Sequence, residues 1–129
     1  MKIQVDAQPL AAEQQVMAKY GREGVAIFKR RVRIASFSME RRIKIRMPVD
    51  TGRARASWGH DTPPGSGEGI WEEANDGLTI TQGSRVEYIG KLNEGHSQQA
   101  PAGFIDADAK RAEEELIEGI VDDLIKAFR

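Results

Sequence analysis

Pro48-Val49-Asp50-Thr51-Gly52-Arg53-Ala54-Arg55 separates a helix-forming part of the chain from a strand-forming part. Proline pushes the residue before it out of the α region, so Pro48 ends any helix that reaches Met47. Asp50, Thr51 and Gly52 are turn formers, and Asp50 or Thr51 can also cap one more short helical turn. Arg53-Ala54-Arg55-Ala56-Ser57-Trp58 then alternates long polar with small or apolar residues. As a strand, it would turn Ala54, Ala56 and Trp58 inward and Arg53 and Arg55 outward.

Upstream of Pro48, residues 9–47 predict one long basic helix. Pro9 suits its first turn, where the missing N–H costs nothing. Tyr20, Phe28, Val32, Ala35, Met39 and Ile43 recur at helical intervals and give one apolar stripe. Gly21 and Gly24 each weaken a helix by about 1 kcal/mol relative to Ala, which predicts a kink or break there. Beyond them, Lys29, Arg30, Arg31, Arg33, Arg41, Arg42, Lys44 and Arg46 fill the remaining positions. Residues 2–6 alternate polar with apolar and predict a short strand.

Downstream, residues 53–90 predict a small antiparallel sheet of three to four strands. Residues 61–69, with two prolines and three glycines, predict a flexible loop. Ile70 to Gln82 predicts a hairpin that turns at Asn75-Asp76-Gly77, with Leu78 and Ile80 inward. Gly83-Ser84 is a second turn signal, after which Arg85 to Ile89 continues the sheet with Val86 and Tyr88 on one face. Residues 93–103 form a second loop, with an apolar end at Ala100, Pro101, Ala102 and Phe104. An acidic C-terminal helix covers residues 106–128, capped by Asp106 or Asp108. Its stripe is Ala109, Ala112, Leu116, Ile120, Leu124 and Phe128, widened by Ile117, Val121 and Ile125. The larger apolar residues of that stripe are all expected to be buried. The fold class is α+β: a long N-terminal helix and a C-terminal helix packed on the small antiparallel sheet.

The 129 residues suit a single domain, and at 6% aromatic content the core must be mainly aliphatic. The absence of cysteine removes disulfides, thiolate catalysis and cysteine-bound zinc. No apolar run is long enough for a membrane span, and the first residues lack the apolar core of a signal peptide. Net charge is -1, but its distribution is uneven. Residues 1–60 carry 13 Lys and Arg against 5 Asp and Glu, and residues 61–129 carry 6 against 15. Three arrangements account for this: basic and acidic helices facing each other or water, head-to-tail association of copies, or nucleic acid on the basic helix.

Motifs for chemistry are missing. His60 and His96 sit in no local metal motif such as HExxH. Ser57, Ser66 and Ser97 lack the Gly-x-Ser-x-Gly setting of a nucleophile, and the glycines of residues 65–69 lack a P-loop lysine. A protein with no catalytic residues, no metal and no cofactor is expected. His96, Gln98 and Gln99 are expected to hydrogen-bond at a loop surface or an interface. Two alternatives remain: a nucleic-acid-binding module using residues 29–46, and a small hydrolase using His96. The basic run has no helix-turn-helix spacing and no interleaved aromatic after Phe37, which leaves non-specific phosphate attraction as its route to DNA.

Two segments carry a family resemblance. Met47-Pro48-Val49-Asp50-Thr51-Gly52-Arg53-Ala54-Arg55-Ala56-Ser57-Trp58 resembles the "PVDTGRLR-S" stretch of bacteriophage tail-completion or head–tail joining (neck) proteins, which are minor-tail-protein-like. Tyr88 to Phe104, with Leu92-Asn93-Glu94-Gly95-His96-Ser97-Gln98-Gln99-Ala100-Pro101-Ala102-Gly103-Phe104, resembles their "L-N-E-G-H-S-x-Q-A-P-A-G-F" stretch. Ala54 departs from the pattern, where the family often has a larger aliphatic. The resemblance implies a structural, non-enzymatic virion protein at the head–tail junction, assembled in the host cytoplasm. It implies a ring of copies, six in number, that docks on neighbouring neck and tail-terminator or tail-tube proteins, with non-specific DNA contact. Interface candidates on this view are Arg41, Arg42, Arg53, Arg55, His96, Gln98, Gln99, Glu114 and Glu118. Asp50, Thr51 and Gly52 would mainly fix the turn.

Overall fold

The computed structural model describes residues 1–47, 53–60, 67–95 and 102–129. Strand β1 (Lys2–Asp6) leads into helix α1 (Glu13–Arg46) and a one-turn helix α2 (Arg53–Ala56). Strand β2 (Gly69–Ala74), a tight turn at Asn75–Gly77, and strand β3 (Thr79–Ser84) follow. The chain closes with the short α3 (Ile89–Asn93) and with α4 (Phe104–Ala127). The sheet is antiparallel in the order β1-β3-β2, with Val5 opposite Ile80 and Glu73 opposite Ile80 on the other side. This is the expected α+β class.

Helices α1 and α4 pack together and against the sheet. Phe28, Val32, Ala35, Met39 and Ile43 of α1 meet Ile105, Ala112, Leu116 and Ile120 of α4 over Val5, Leu78 and Ile80. The predicted α1 stripe is thus the core face, joined by Val16 and Val25 and flanked by half-buried Tyr20. Each larger aliphatic in it contributes about 1.5–3 kcal/mol of burial before chain entropy is subtracted.

The helix ends follow from local chemistry. Pro9 falls in the turn before α1 rather than in its first turn, because Ala7 O already accepts the Leu10 N–H at 3.0 Å. Gln15 Oε1 reaches back to the Ala12 N–H at 3.1 Å and helps to start the helix. Inside α1 the predicted break is at Gly21, where φ 68 and ψ -163 is a backbone region open essentially to glycine alone. Met47 leaves the helix at ψ 138, as a residue before proline should.

Three expectations fail, each for a physical reason. Residues 53–56 are helical, not extended, although Ala54, Ala56 and Trp58 are buried as expected. Arginine and alanine are strong helix formers, and six residues are too few for alternation to outvote them. Residues 85–89 do not continue the sheet. Ser84 Oγ accepts the Val86 N–H at 3.1 Å and ends the strand, and Val86 and Ile89 are buried at helical spacing. The third strand of the sheet is β1, so residues 53–90 supply only two strands among the described residues. Finally, α4 begins at Phe104, before Asp106 and Asp108. Asn93 does the capping instead: Oδ1 accepts the Ile105 N–H at 2.9 Å and Nδ2 donates to Asp106 at 2.8 Å.

The hairpin forms as expected. Asn75, Asp76 and Gly77 all take positive φ, and Lys29 Nζ donates to Asp76 at 2.8 Å, tying the tip to α1. That hydrogen bond holds the Asp76 carboxyl below its ordinary range and raises Lys29. Residues 61–66 and 96–101, which include most of the two predicted loops, lie outside the described residues.

Candidate assembly interface

The basic and acidic helices face each other. Arg31 Nε and Nη2 grip both oxygens of Asp123 at 2.6 and 2.8 Å, and Arg30 adds a third contact at 3.1 Å. Arg42 Nη1 donates to Glu115 at 3.0 Å, and Arg46 Nη1 to Asp108 at 2.8 Å. Asp108 is 1% exposed, and this pair of arginines surrounds it. The remaining cations of the run are also engaged: Lys29 with Asp76, Arg33 with Glu73, and Lys44 with the His60 carbonyl. Among the described residues, only Arg41 of those eight is left without a partner. A run that is neutralised in this way offers little free charge to a phosphate backbone.

Arg31 fits because α4 carries Gly119 at the crossing. A Cβ there would lie 2.7 Å from Arg31 Cδ, so a side chain at this position would make the arginine shift. The bidentate hydrogen bond from Arg31 holds the Asp123 carboxyl well below the usual carboxylate range, against the opposing effect of desolvation. A depressed carboxylate contributes stability that is complete above the unfolded value of about 3.9 and lost as pH falls through the folded value. Asp123→Asn is therefore expected to lower Tm at neutral pH and to flatten its fall from about pH 5 to pH 2. Melting curves across that window check it. Equal slopes for variant and parent would remove Asp123 from the acid response.

The structure sorts the interface candidates. Arg42 is committed inside the fold. Arg55 Nη2 donates to the carbonyls of Ile45 and Met47, both at 3.1 Å, and so caps the C-terminal end of α1 instead of pointing outward. Arg41, Glu114 and Glu118 are exposed and make no ion pair or hydrogen bond among the described residues. The Arg53 side chain, His96, Gln98 and Gln99 lie outside what the structure describes.

Both resembling segments prove to hold helix ends within the described residues, Arg55 at the end of α1 and Asn93 at the start of α4.

What the sequence reading missed is apolar and exposed. On the outer side of α1, Ile34, Phe37 and Ile45 are between 44% and 62% exposed, around Arg41. On α4, Ile117, Val121, Ile125 and Phe128 are not buried as expected but are between 40% and 53% exposed, beside Glu114 and Glu118. The signal was the width of the α4 stripe. Ala112, Leu116 and Ile120 already fill the side that meets α1, and a helix cannot turn a stripe that broad onto one neighbour. Leu10 and Pro9 extend this surface, lining with Ile117 a groove of about 420 Å³.

Beside the α1 face, His60 stacks on Phe37 with ring centroids 5.5 Å apart and packs on Trp71 at 4.2 Å. Its Nδ1 lies 2.8 Å from Glu40 Oε2, which also accepts the His60 backbone N–H at 2.7 Å. Gly59 makes room, since a Cβ there would meet the same carboxylate. This arrangement fixes a loop to α1. Among the described residues no three His, Cys, Asp or Glu side chains come together as a metal site, and no helix is long and apolar enough to cross a membrane.

No family model, curated protein or solved structure matches this chain.

Proposed function

We propose that this chain is a structural virion protein of a tailed bacteriophage, acting at the head–tail junction as a tail-completion or neck component. It assembles as a closed ring of six copies and joins neighbouring rings by docking, with no catalysis. The observation that carries assembly is the pair of exposed apolar helix faces with opposite, unpaired charge: Arg41 on α1, Glu114 and Glu118 on α4. Contiguous exposed apolar surface on a small domain marks an interaction site. The placement at the neck rests on the two resembling segments and on their order around the sheet.

Deletion of the gene from its phage or prophage tests the reading. Filled heads and separate finished tails should accumulate in the lysate, seen by electron microscopy, and purified chain should join them. A normal yield of joined particles from the deletion would overturn the assignment.

A further inference from the structure

We infer that the outer face of α1 in one copy docks on the outer face of α4 in the next. The inference rests on the ring reading for its biological setting but on this chain's own surfaces for its chemistry. Each face combines a row of exposed aliphatic or aromatic side chains with charge that is unpaired among the described residues. On α1 the row is Ile34, Phe37 and Ile45 with Arg41, and on α4 it is Ile117, Val121 and Ile125 with Glu114 and Glu118.

The two rows match in length. Ile34 to Ile45 spans about 16 Å at helical rise, and Glu114 to Ile125 spans the same eleven steps. Their charges are complementary. Further cations on the α1 side, Arg30 and Arg33, already contact Asp123 and Glu73. On the α4 side, Glu113 is exposed and adds to the negative face; Lys110 is the nearby exception, while Asp122 is satisfied by Lys126 at 2.9 Å.

The charge pattern also selects the symmetry. A two-fold contact of α1 on α1 doubles the Arg41 charge and supplies no counter-charge from either row. A two-fold contact of α4 on α4 likewise doubles Glu114 and Glu118. Like charges at an apolar contact are strongly disfavoured. The remaining pairing, α1 on α4, is heterologous, and a heterologous contact propagates from copy to copy until rotation closes it.

Charge exchange tests this directly, because none of the three charged residues has an ion pair or hydrogen bond among the described residues. Arg41→Glu gives a chain negative on both faces, and Glu114→Arg with Glu118→Arg gives one positive on both. Each alone should associate about 10- to 100-fold more weakly than the parent, as read by sedimentation velocity. An equal mixture of the two should regain assembly, and so should one chain carrying all three changes. Circular dichroism should be unchanged throughout.

Cysteine cross-linking gives a second measure, clean because the chain has no cysteine of its own. Phe37→Cys and Val121→Cys should cross-link through a short bismaleimide only when the two variants are mixed. Cross-linking within either variant alone would show a two-fold contact and overturn the inference. An assembling parent with no loss on Arg41→Glu would also overturn it while leaving the ring intact. A parent that stays monomeric to about 1 mM overturns the contact as a solution interface and leaves the ring to the deletion experiment.

Discussion

Trp58→Ala is expected to lower the unfolding free energy by about 3–5 kcal/mol, a large part of the 5–15 kcal/mol typical of a domain. Trp58 is fully buried, and its indole Nε1 donates to Gln82 Oε1 at 2.8 Å. Gln82 is itself fully buried, and its Nε2 donates to the Ser36 carbonyl of α1 at 2.8 Å. One polar side chain thus joins the segment after α2, the central strand and the long helix. Truncation removes a large ring from the core and also leaves Gln82 Oε1 buried without a donor. Trp58→Phe separates the two effects. It keeps much of the ring and should cost about 1–3 kcal/mol for the orphaned acceptor. Denaturant titration of both variants measures the difference. If the two lose equally, the hydrogen bond dominates; if Trp58→Phe is silent, Gln82 finds another partner.

Arg41 and Arg42 are neighbours in sequence, yet their reversal should have unequal results. Arg42→Glu sets a new carboxylate beside Glu115 and beside Asp108, whose Oδ1 lies 3.4 Å from Arg42 Nε. Breaking a buried ion pair in this way is expected to cost about 3–5 kcal/mol. Arg41→Glu touches no partner and should stay within about 0.5 kcal/mol of the parent, as surface changes do. A shift in denaturation midpoint for Arg42→Glu alone is the expected outcome. Comparable shifts for both would mean that Arg41 also supports the fold. Reversing both interface candidates at once is therefore a folding variant as well, through the Arg42–Glu115 and Arg42–Asp108 contacts.

That pair of arginines shows why some of the molecule was legible and some was not. Successive helical residues point about 100° apart, so only the phase of α1 relative to α4 decides which arginine is used. The phase of the core stripe was readable, because Phe28, Val32, Met39 and Ile43 repeat over several turns. So were the helix stop before Pro48 and the turn at Asn75–Gly77, since proline and left-handed residues act locally. Residues 53–58 and 85–89 were not readable, because a short alternation suits a strand and a turn of helix equally. Asn93 looked like a loop residue; its capping of α4 joins positions a dozen residues apart, which no local pattern reports. In the α4 stripe, Leu116 and Ile120 were read correctly as buried, and Ile117, Val121, Ile125 and Phe128 wrongly so. Burial is decided by what packs against a surface, and the described chain leaves Ile117, Val121 and Ile125 about half exposed.

The seating of Arg31 over Gly119 has a geometric consequence. Together with Arg42 on Glu115 and Arg46 on Asp108, it makes three rungs between two antiparallel helices. A slide of one helix along the other would break all three and drive Arg31 into a side chain. The two outward faces are therefore held at one fixed angle, like two walls of a keystone. In an assembly built by laying one wall on the next, the curvature is set inside each block. A side chain at Gly119, in the groove between Ile34 and Glu118, would change the angle between the two faces.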